Sequence, residues 1–383
     1  MFGLMPLCFA TYPAIALRVP KCDEKRLKQS LSKALDLVPS AAGRYGENGD
    51  ILELNDAGVP FTVVQSQEAS APEKIEDLEK TTLEKGPLIS IKLTSYKDGS
   101  GVLAFSRSHM LFDGSSAWIF LGIWASFAKG DTVKEPSWRK EEVVKLLPDD
   151  KEFQEMAQKM FGINPKPTIL TKLMKNFLIP VVGAVMDTFF LYAGYSLTRY
   201  RFFFSDEELA LLKDEATPKE VAAGQDNWVI CPIARKALKL SPNQLMGNGL
   251  TFCSLSIESQ KLLAMDLPGL ASHLHQMLST GEGPGSLESQ RDLWRVTNGA
   301  CEREDNCDLK FAVNNSSKRI LPDYGIGRCD SVVTNAGPTV FLPAQGGIEV
   351  HLDPSVFSSA GCSQSQRQNA LDALRQLPKK KTE

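Results

Sequence analysis

Residues 106–114 read Ser-Arg-Ser-His-Met-Leu-Phe-Asp-Gly and hold the side chains best suited to chemistry, His109 and, four positions on, Asp113. Imidazole titrates closest to neutrality of the ordinary side chains, so a rigidly mounted histidine can take a proton from a hydroxyl or an amine at physiological pH. A nearby aspartate fixes its surroundings. The bare pattern H-x-x-x-D arises often by chance, and the flanking residues carry the argument. Gly101–Phe105, with its β-branched and aromatic members, reads as a strand ending just before the histidine. Gly114, Ser115 and Ser116 then open an amphipathic stretch, Ala117–Phe127, with Trp118, Leu121, Trp124 and Ala125 at helical spacing. The predicted order is strand, base, sharp turn, helix.

Composition narrows the classes that could use such a base. A chain of 383 residues is long for one core, and two domains are the natural expectation. Its 43% hydrophobic and 23% charged residues are those of a globular protein. A net charge of −3 lacks the basic excess that non-specific nucleic-acid binding needs. The eight cysteines form no C-x-x-C pair, and His273, His275 and His351 have no cysteine at ligand spacing, so no metal site is expected. Met1–Ile15 has no basic start and carries Pro6 and Pro13, unlike a secretory leader; reduced thiols in a cytoplasmic protein are expected.

The elements that must hold the base follow from periodicity. Leu27, Leu31, Ala34 and Leu35 predict a helix running into Val38-Pro39. Strand-like pieces Ile51–Leu54 and Phe61–Val64 flank a turn at Asn55–Gly58, and 75–83 reads as a charged surface helix. Leu88–Tyr96 and Gly101–Ser106, joined by Lys97–Ser100, predict a hairpin that delivers His109. A second half begins near Tyr200. There Asn227–Ile233, Leu250–Ile257, Leu309–Asn314, Ser331–Thr334, Thr339–Leu342 and Gly347–Leu352 read as strands, and Leu267–Leu278 as a helix.

Several of these pieces together resemble the BAHD-type acyltransferases, a family of coenzyme A-dependent O- and N-acyltransferases. Leu31–Arg44 is similar to the family's early helix and P-x-x-A-G-R segment, and Asn55–Phe61 to the piece that follows. His109–Gly114 fits H-x-x-x-D-G, and Phe202–Lys213 resembles the opening of the second half. Pro232–Leu238 is similar to a strand carrying a structural arginine, here Arg235, and Met246–Asn248 to F-G-N. Asp323–Gly327 fits D-F-G-W-G, with Tyr324 for Phe and Ile326 for Trp. Any one match is weak; seven in the right order, from Arg26 to Leu377, are a strong signal.

The resemblance implies an α/β fold of two lobes with the topology of chloramphenicol acetyltransferase, 1–195 and 196–383, each a mixed sheet with helices, around a central channel. It implies that His109 is the general base, that acyl-coenzyme A is the co-substrate with no permanently bound cofactor, and that a small-molecule alcohol or amine is the acceptor. Asp113 would point away from substrate and pair with Arg235, with Gly114 and the loop residues Asp323, Gly325 and Gly327 as structural support. Asn315, Ser316 and Arg319 match a segment facing the acceptor and are candidates to contact it or the oxyanion, where one well-placed donor contributes roughly 3–4 kcal/mol.

The sequence departs from the pattern in two places: little stands before Ala14–Val19 where the family has a further strand, and only Ala216–Asn227 stands where it has a helix. These departures motivate a second reading, a non-catalytic member binding an acyl ligand or a partner. A third is a condensation-domain or wax-synthase-like acyltransferase, whose H-H-x-x-x-D-G would need a histidine where Ser108 stands. The apolar run Phe177–Tyr195 approaches membrane-spanning length but contains Pro180 and Asp187, so packing at the lobe junction, or peripheral contact with the endoplasmic reticulum surface, is expected over a span. The expected protein is a cytoplasmic monomer.

Overall fold

A computed structural model describes residues 12–46, 52–73, 75, 86–109, 111–136, 200–215, 228–232, 246, 252–255, 264–266, 268–272, 310–334, 339–352 and 363–376. The expected helix at 75–83, the run 177–195, the segment 216–227, Arg235 and the expected lobe boundary at 195/196 lie at or beyond the edges of these residues, and no account of them is given by the described structure.

The first sheet is built on β1 (Ala14–Val19), β4 (Phe61–Gln65), β5 (Ile89–Ser95), β6 (Gly101–Arg107) and β11 (Ser331–Thr334), in the order β11-β1-β6-β5-β4. Only β4–β5 is parallel within it. The β5–β6 hairpin closes over Lys97–Ser100, where Gly99 has φ +85, a conformation open to glycine and costly for residues with a Cβ. β2 (Arg44–Tyr45) and β3 (Leu52–Glu53) form a small ribbon beside the sheet.

Alternation along β6 sends Leu103 and Phe105 to one face and Val102 and Ala104 to the other. The first face is covered by α1 (Glu24–Leu37) and α2 (Gly114–Lys129). α1 buries Leu27, Ser30, Leu31 and Ala34, spaced by three and four, and starts at Asp23, whose carboxylate accepts from Arg26 N at 2.9 Å. α2 buries Trp118, Phe120, Leu121, Ile123, Trp124 and Ala125 in the core it shares with α1 and the sheet. Gly130, at φ +85, ends it with its own N–H on Phe127 O and Asp131 N on Ser126 O.

The second sheet runs β7-β13-β12-β10-β8-β9, with β7 (Tyr200–Ser205), β8 (Trp228–Pro232), β9 (Phe252–Leu255), β10 (Lys310–Asn315), β12 (Thr339–Ala344) and β13 (Gly347–Leu352). It too is mixed: β10 lies parallel to β12 and β8, the rest antiparallel. Phe202, Phe204, Leu352 and Leu371 form its core, with α3 (Asp206–Glu215) and α4 (Gln364–Gln376) packed alongside. The expected helix at 267–278 is helical at 268–272 among the described residues, and α4 is an element the periodicity argument did not assign.

β11 belongs to the second half of the sequence yet pairs with β1 in the first sheet, Ile15 opposite Thr334 and Ala16 opposite Val333. In sequence β11 stands between β10 and β12, both strands of the second sheet. Among the described residues no helix is long and apolar enough to cross a membrane.

Candidate active site

β6 ends at Arg107, and the next residues form a tight turn that carries the candidate base. Ser108 N donates to Leu88 O at 2.7 Å, continuing the pairing with the neighbouring strand for one residue past β6. Ser108 O accepts from Leu111 N at 3.1 Å and Phe112 N at 3.2 Å. Its hydroxyl lies 3.0 Å from Tyr45 Oη on β2, and the Ser108 side chain is buried. His109 is therefore mounted on a turn anchored from the sheet, from within and from the β2–β3 ribbon.

Asp113 closes the turn. Its side chain is fully buried and accepts from Ser116 N at 2.7 Å, so the carboxylate is the N-cap of α2. A negative group at a helix N-terminus also opposes the positive end of the helix dipole. Gly114 is the first residue of α2, and a Cβ there would meet nothing within 4 Å. Its backbone needs no glycine. Arg235 lies outside the described residues, so the expected Asp113–Arg235 pair is not seen either way.

Burial is the largest influence on His109, with the Arg107 charge second; together they outweigh the opposing pull of Asp113 and lower its pKa from 6.5 to about 4. The ring is neutral at pH 7. A neutral imidazole at the end of a buried strand can accept a proton.

The segment after β10 approaches the same turn from the second half of the chain. Ser316 N donates to Phe341 O at 2.8 Å, and Arg319 N to Ser316 O at 2.9 Å, forming a compact turn. The Asn315 side-chain oxygen accepts from Ser317 N at 3.1 Å and from the Ser317 hydroxyl at 2.7 Å. Arg319 donates to Ser115 Oγ at 2.7 Å, the second residue of α2 and two positions after Asp113. Thus Arg319 ties this loop to the first turn of the helix that follows the base, whereas the Asn315 oxygen is engaged within its own loop.

Asp323, Gly325 and Gly327 lie elsewhere, against α1, the end of α2 and the turn after β1. The Asp323 carboxylate accepts from Gly325 N at 2.9 Å. Gly325, at φ +72, gives its carbonyl to Arg26 at 3.1 Å, and the same Arg26 nitrogen donates to Ala128 O at 3.2 Å. A Cβ at Gly325 would lie 2.9 Å from Ala128 O, and one at Gly327 2.6 Å from Pro20. Tyr324, fully buried, sets its ring edge-on to Trp124 at 5.1 Å. This loop is a clamp on α2, and through α2 it fixes the helix whose cap is Asp113.

Two contributors carry signals that periodicity did not weigh. Arg107 is a charged residue ending an apolar strand, and it is fully buried. Arg44, in the A-G-R segment, donates to Gly43 O at 2.8 Å, Gly58 O at 2.9 Å and Ala57 O at 3.2 Å, pinning the 55–60 loop to β2 beside Tyr45.

Comparison with known proteins agrees with this architecture. The family model described as Transferase family matches residues 6–181. A malonyltransferase of Salvia splendens acting on pelargonidin 3-O-(6-caffeoylglucoside) 5-O-(6-O-malonylglucoside) is 30% identical over 170 residues. Over its first half the chain is thus similar to the Transferase family and to a named acyltransferase. The stretch shared with that malonyltransferase is 40% of this chain and 40% of the relative, so the similarity spans well under half of either. At the level of fold, the crystal structure of vinorine synthase superposes with a TM-score of 0.62 at 17% identity, covering 94% of this chain and 90% of that one. TRI101 of F. graminearum, complexed with coenzyme A and deoxynivalenol, superposes with a TM-score of 0.57 at 16% identity over 95% of this chain and 96% of that one.

Proposed function

We propose that this chain transfers an acyl group from acyl-coenzyme A to a hydroxyl or amine of a small-molecule acceptor, with His109 as general base. The acceptor O–H or N–H gives its proton to the His109 ring as its heavy atom bonds to the thioester carbonyl carbon. The tetrahedral intermediate then collapses, the C–S bond breaks, and the leaving thiolate takes the proton back from the imidazolium. An ester or amide and free coenzyme A result, with no acyl-enzyme, because the thioester is already activated.

The observation that carries this reading is the turn at 108–113, where a neutral histidine is held between a buried strand end and a helix cap. The family match over the first half and a fold likeness to a protein solved with coenzyme A support it. Arg319 on Ser115 makes the Asn315–Arg319 segment the candidate wall on the acceptor side. Purified protein incubated with a panel of acyl-coenzyme A thioesters and mixed alcohols and amines should release free thiol and acylated product. Thioester binding without turnover would instead assign the chain as a non-catalytic member of the family.

A further inference from the structure

Tyr45 and Ser108 stand 63 residues apart in sequence, and their hydroxyl oxygens meet at 3.0 Å one residue before the candidate base. Ser108 is only 1% exposed, so water does not stand in for the phenol. The backbone bonds of Ser108 stay within its own neighbourhood. Its N–H donates to Leu88 O at 2.7 Å, just before β5, and its carbonyl accepts from Leu111 N and Phe112 N inside the turn. Those bonds shape the turn and prolong the β5–β6 hairpin, but they tie it to nothing outside that hairpin. The Tyr45 hydroxyl does. Tyr45 is itself fastened: it pairs with Leu52 across the β2–β3 ribbon, and its ring packs against the core that contains Leu111 and Phe112. Its neighbour Arg44 donates to Gly43 O at 2.8 Å and Gly58 O at 2.9 Å, joining the ribbon to the 55–60 loop. Packing alone would be served as well by phenylalanine at this position; the hydroxyl adds a polar handle aimed at the residue before His109.

We propose that Tyr45 is a positioning residue of the base: its hydroxyl, by holding that of Ser108, fixes the sideways placement of the turn on which His109 stands. This rests on His109 being the base. Tyr45 acts through Ser108 and takes no part in proton transfer. A base must bring its nitrogen within about 2.6–3.2 Å of the heavy atom whose proton it takes. A misplacement of about 1 Å can cost roughly a hundredfold in rate. The peptide unit joins Ser108 directly to His109, so a sideways slip of Ser108 moves the mount of the ring. Without the phenol the turn keeps its backbone bonds and α2 keeps its Asp113 cap, so the fold does not hang on this contact.

The test compares Tyr45→Phe, Ser108→Ala and the double variant with the parent, each as the full chain. Amide hydrogen exchange needs no substrate: over 108–113 it should quicken about tenfold in Tyr45→Phe, while exchange in β5 and β6 stays at the parent rate. With the acyl-coenzyme A and acceptor that the parent turns over, kcat should fall about tenfold in all three variants, KM for the thioester staying within about twofold. Each single variant leaves a buried hydroxyl without its partner and should melt below the parent, whereas the double variant removes both hydroxyls and should recover. A positioning role keeps turnover low in the double variant despite that recovery. Turnover returning together with the melting temperature would make the contact merely structural and overturn the proposal. Unchanged exchange over 108–113 in Tyr45→Phe also overturns it; should that variant not fold, Ser108→Ala carries the same expectation. Full turnover by His109→Gln would instead remove the base itself, whereas an inactive His109→Gln beside a fully active Tyr45→Phe sinks the positioning role alone.

Discussion

The Asp113 carboxylate and the Ser116 backbone N–H meet at 2.7 Å, and this contact joins the turn that carries His109 to the helix behind it. An aspartate used in this way is committed to geometry: its oxygen satisfies one of the amides that every helix start leaves without a partner. It is therefore a poor candidate for proton transfer. Removing it should disturb the base indirectly, by loosening the first turn of α2.

Replacing His109 by alanine should lower turnover by about two to four orders of magnitude while the melting temperature stays near that of the parent. Coenzyme A release, measured beside circular dichroism, checks both. Equal turnover by the variant would remove His109 from the mechanism.

Asp113→Ala should cost about 1–2 kcal/mol through the lost cap alone, and Asp113→Ser should recover part of it because its hydroxyl can also accept from Ser116 N. A denaturant series compares the three proteins. The family-implied partnership with Arg235 is tested in the same assay by Asp113→Asn, Arg235→Gln and the double variant. Strictly additive losses would show the two residues uncoupled.

Gly325→Ala and Gly114→Ala should behave oppositely, although both glycines belong to motif-like segments. At Gly325 the left-handed backbone and the approach to Ala128 O predict a loss of about 1–3 kcal/mol. At Gly114, on the first turn of α2 with open space around it, alanine should leave stability unchanged or raise it slightly. A large loss at Gly114 and none at Gly325 would contradict the clamp described for the Asp323–Gly327 loop.

Trp124→Phe keeps the ring in the core but removes the N–H that donates to Leu27 O and Ser30 Oγ, each at 3.0 Å. Leaving those buried acceptors without their donor should cost about 1–3 kcal/mol. Thermal unfolding measures it, and a neutral result would mean that α1 and α2 are held by apolar contact alone.

Stability should also depend on pH through His109. The folded protein keeps the ring neutral down to about pH 4, whereas the unfolded chain takes up a proton near 6.5. Between these values the unfolded state binds more protons, so stability rises with pH and falls as pH drops from 6.5 towards 4. His109→Gln should flatten that part of the curve, as read from denaturation midpoints across the window. An unchanged slope would mean that His109 titrates alike in both states.

The sequence by itself determined the local elements around the base. Alternation marked β5, β6 and their turn, and three-and-four spacing marked α1 and α2, because each pattern reflects burial of one face of one element. The order of short motifs carried the resemblance to a family. What only the tertiary structure decided is which distant residues meet. β11 pairs with β1, Ile15 opposite Thr334 across most of the chain, and nothing in Ser331–Thr334 states which sheet it joins, since a four-residue strand has no register of its own. The same holds for Arg319 on Ser115 and Tyr45 on Ser108, contacts of polar groups that look like loop and edge residues until the chain closes. Arg107 is the clearest case. In sequence it is a charge at the end of a strand, which solvent would ordinarily claim, and in the fold it is a buried cation that donates to Pro13 O.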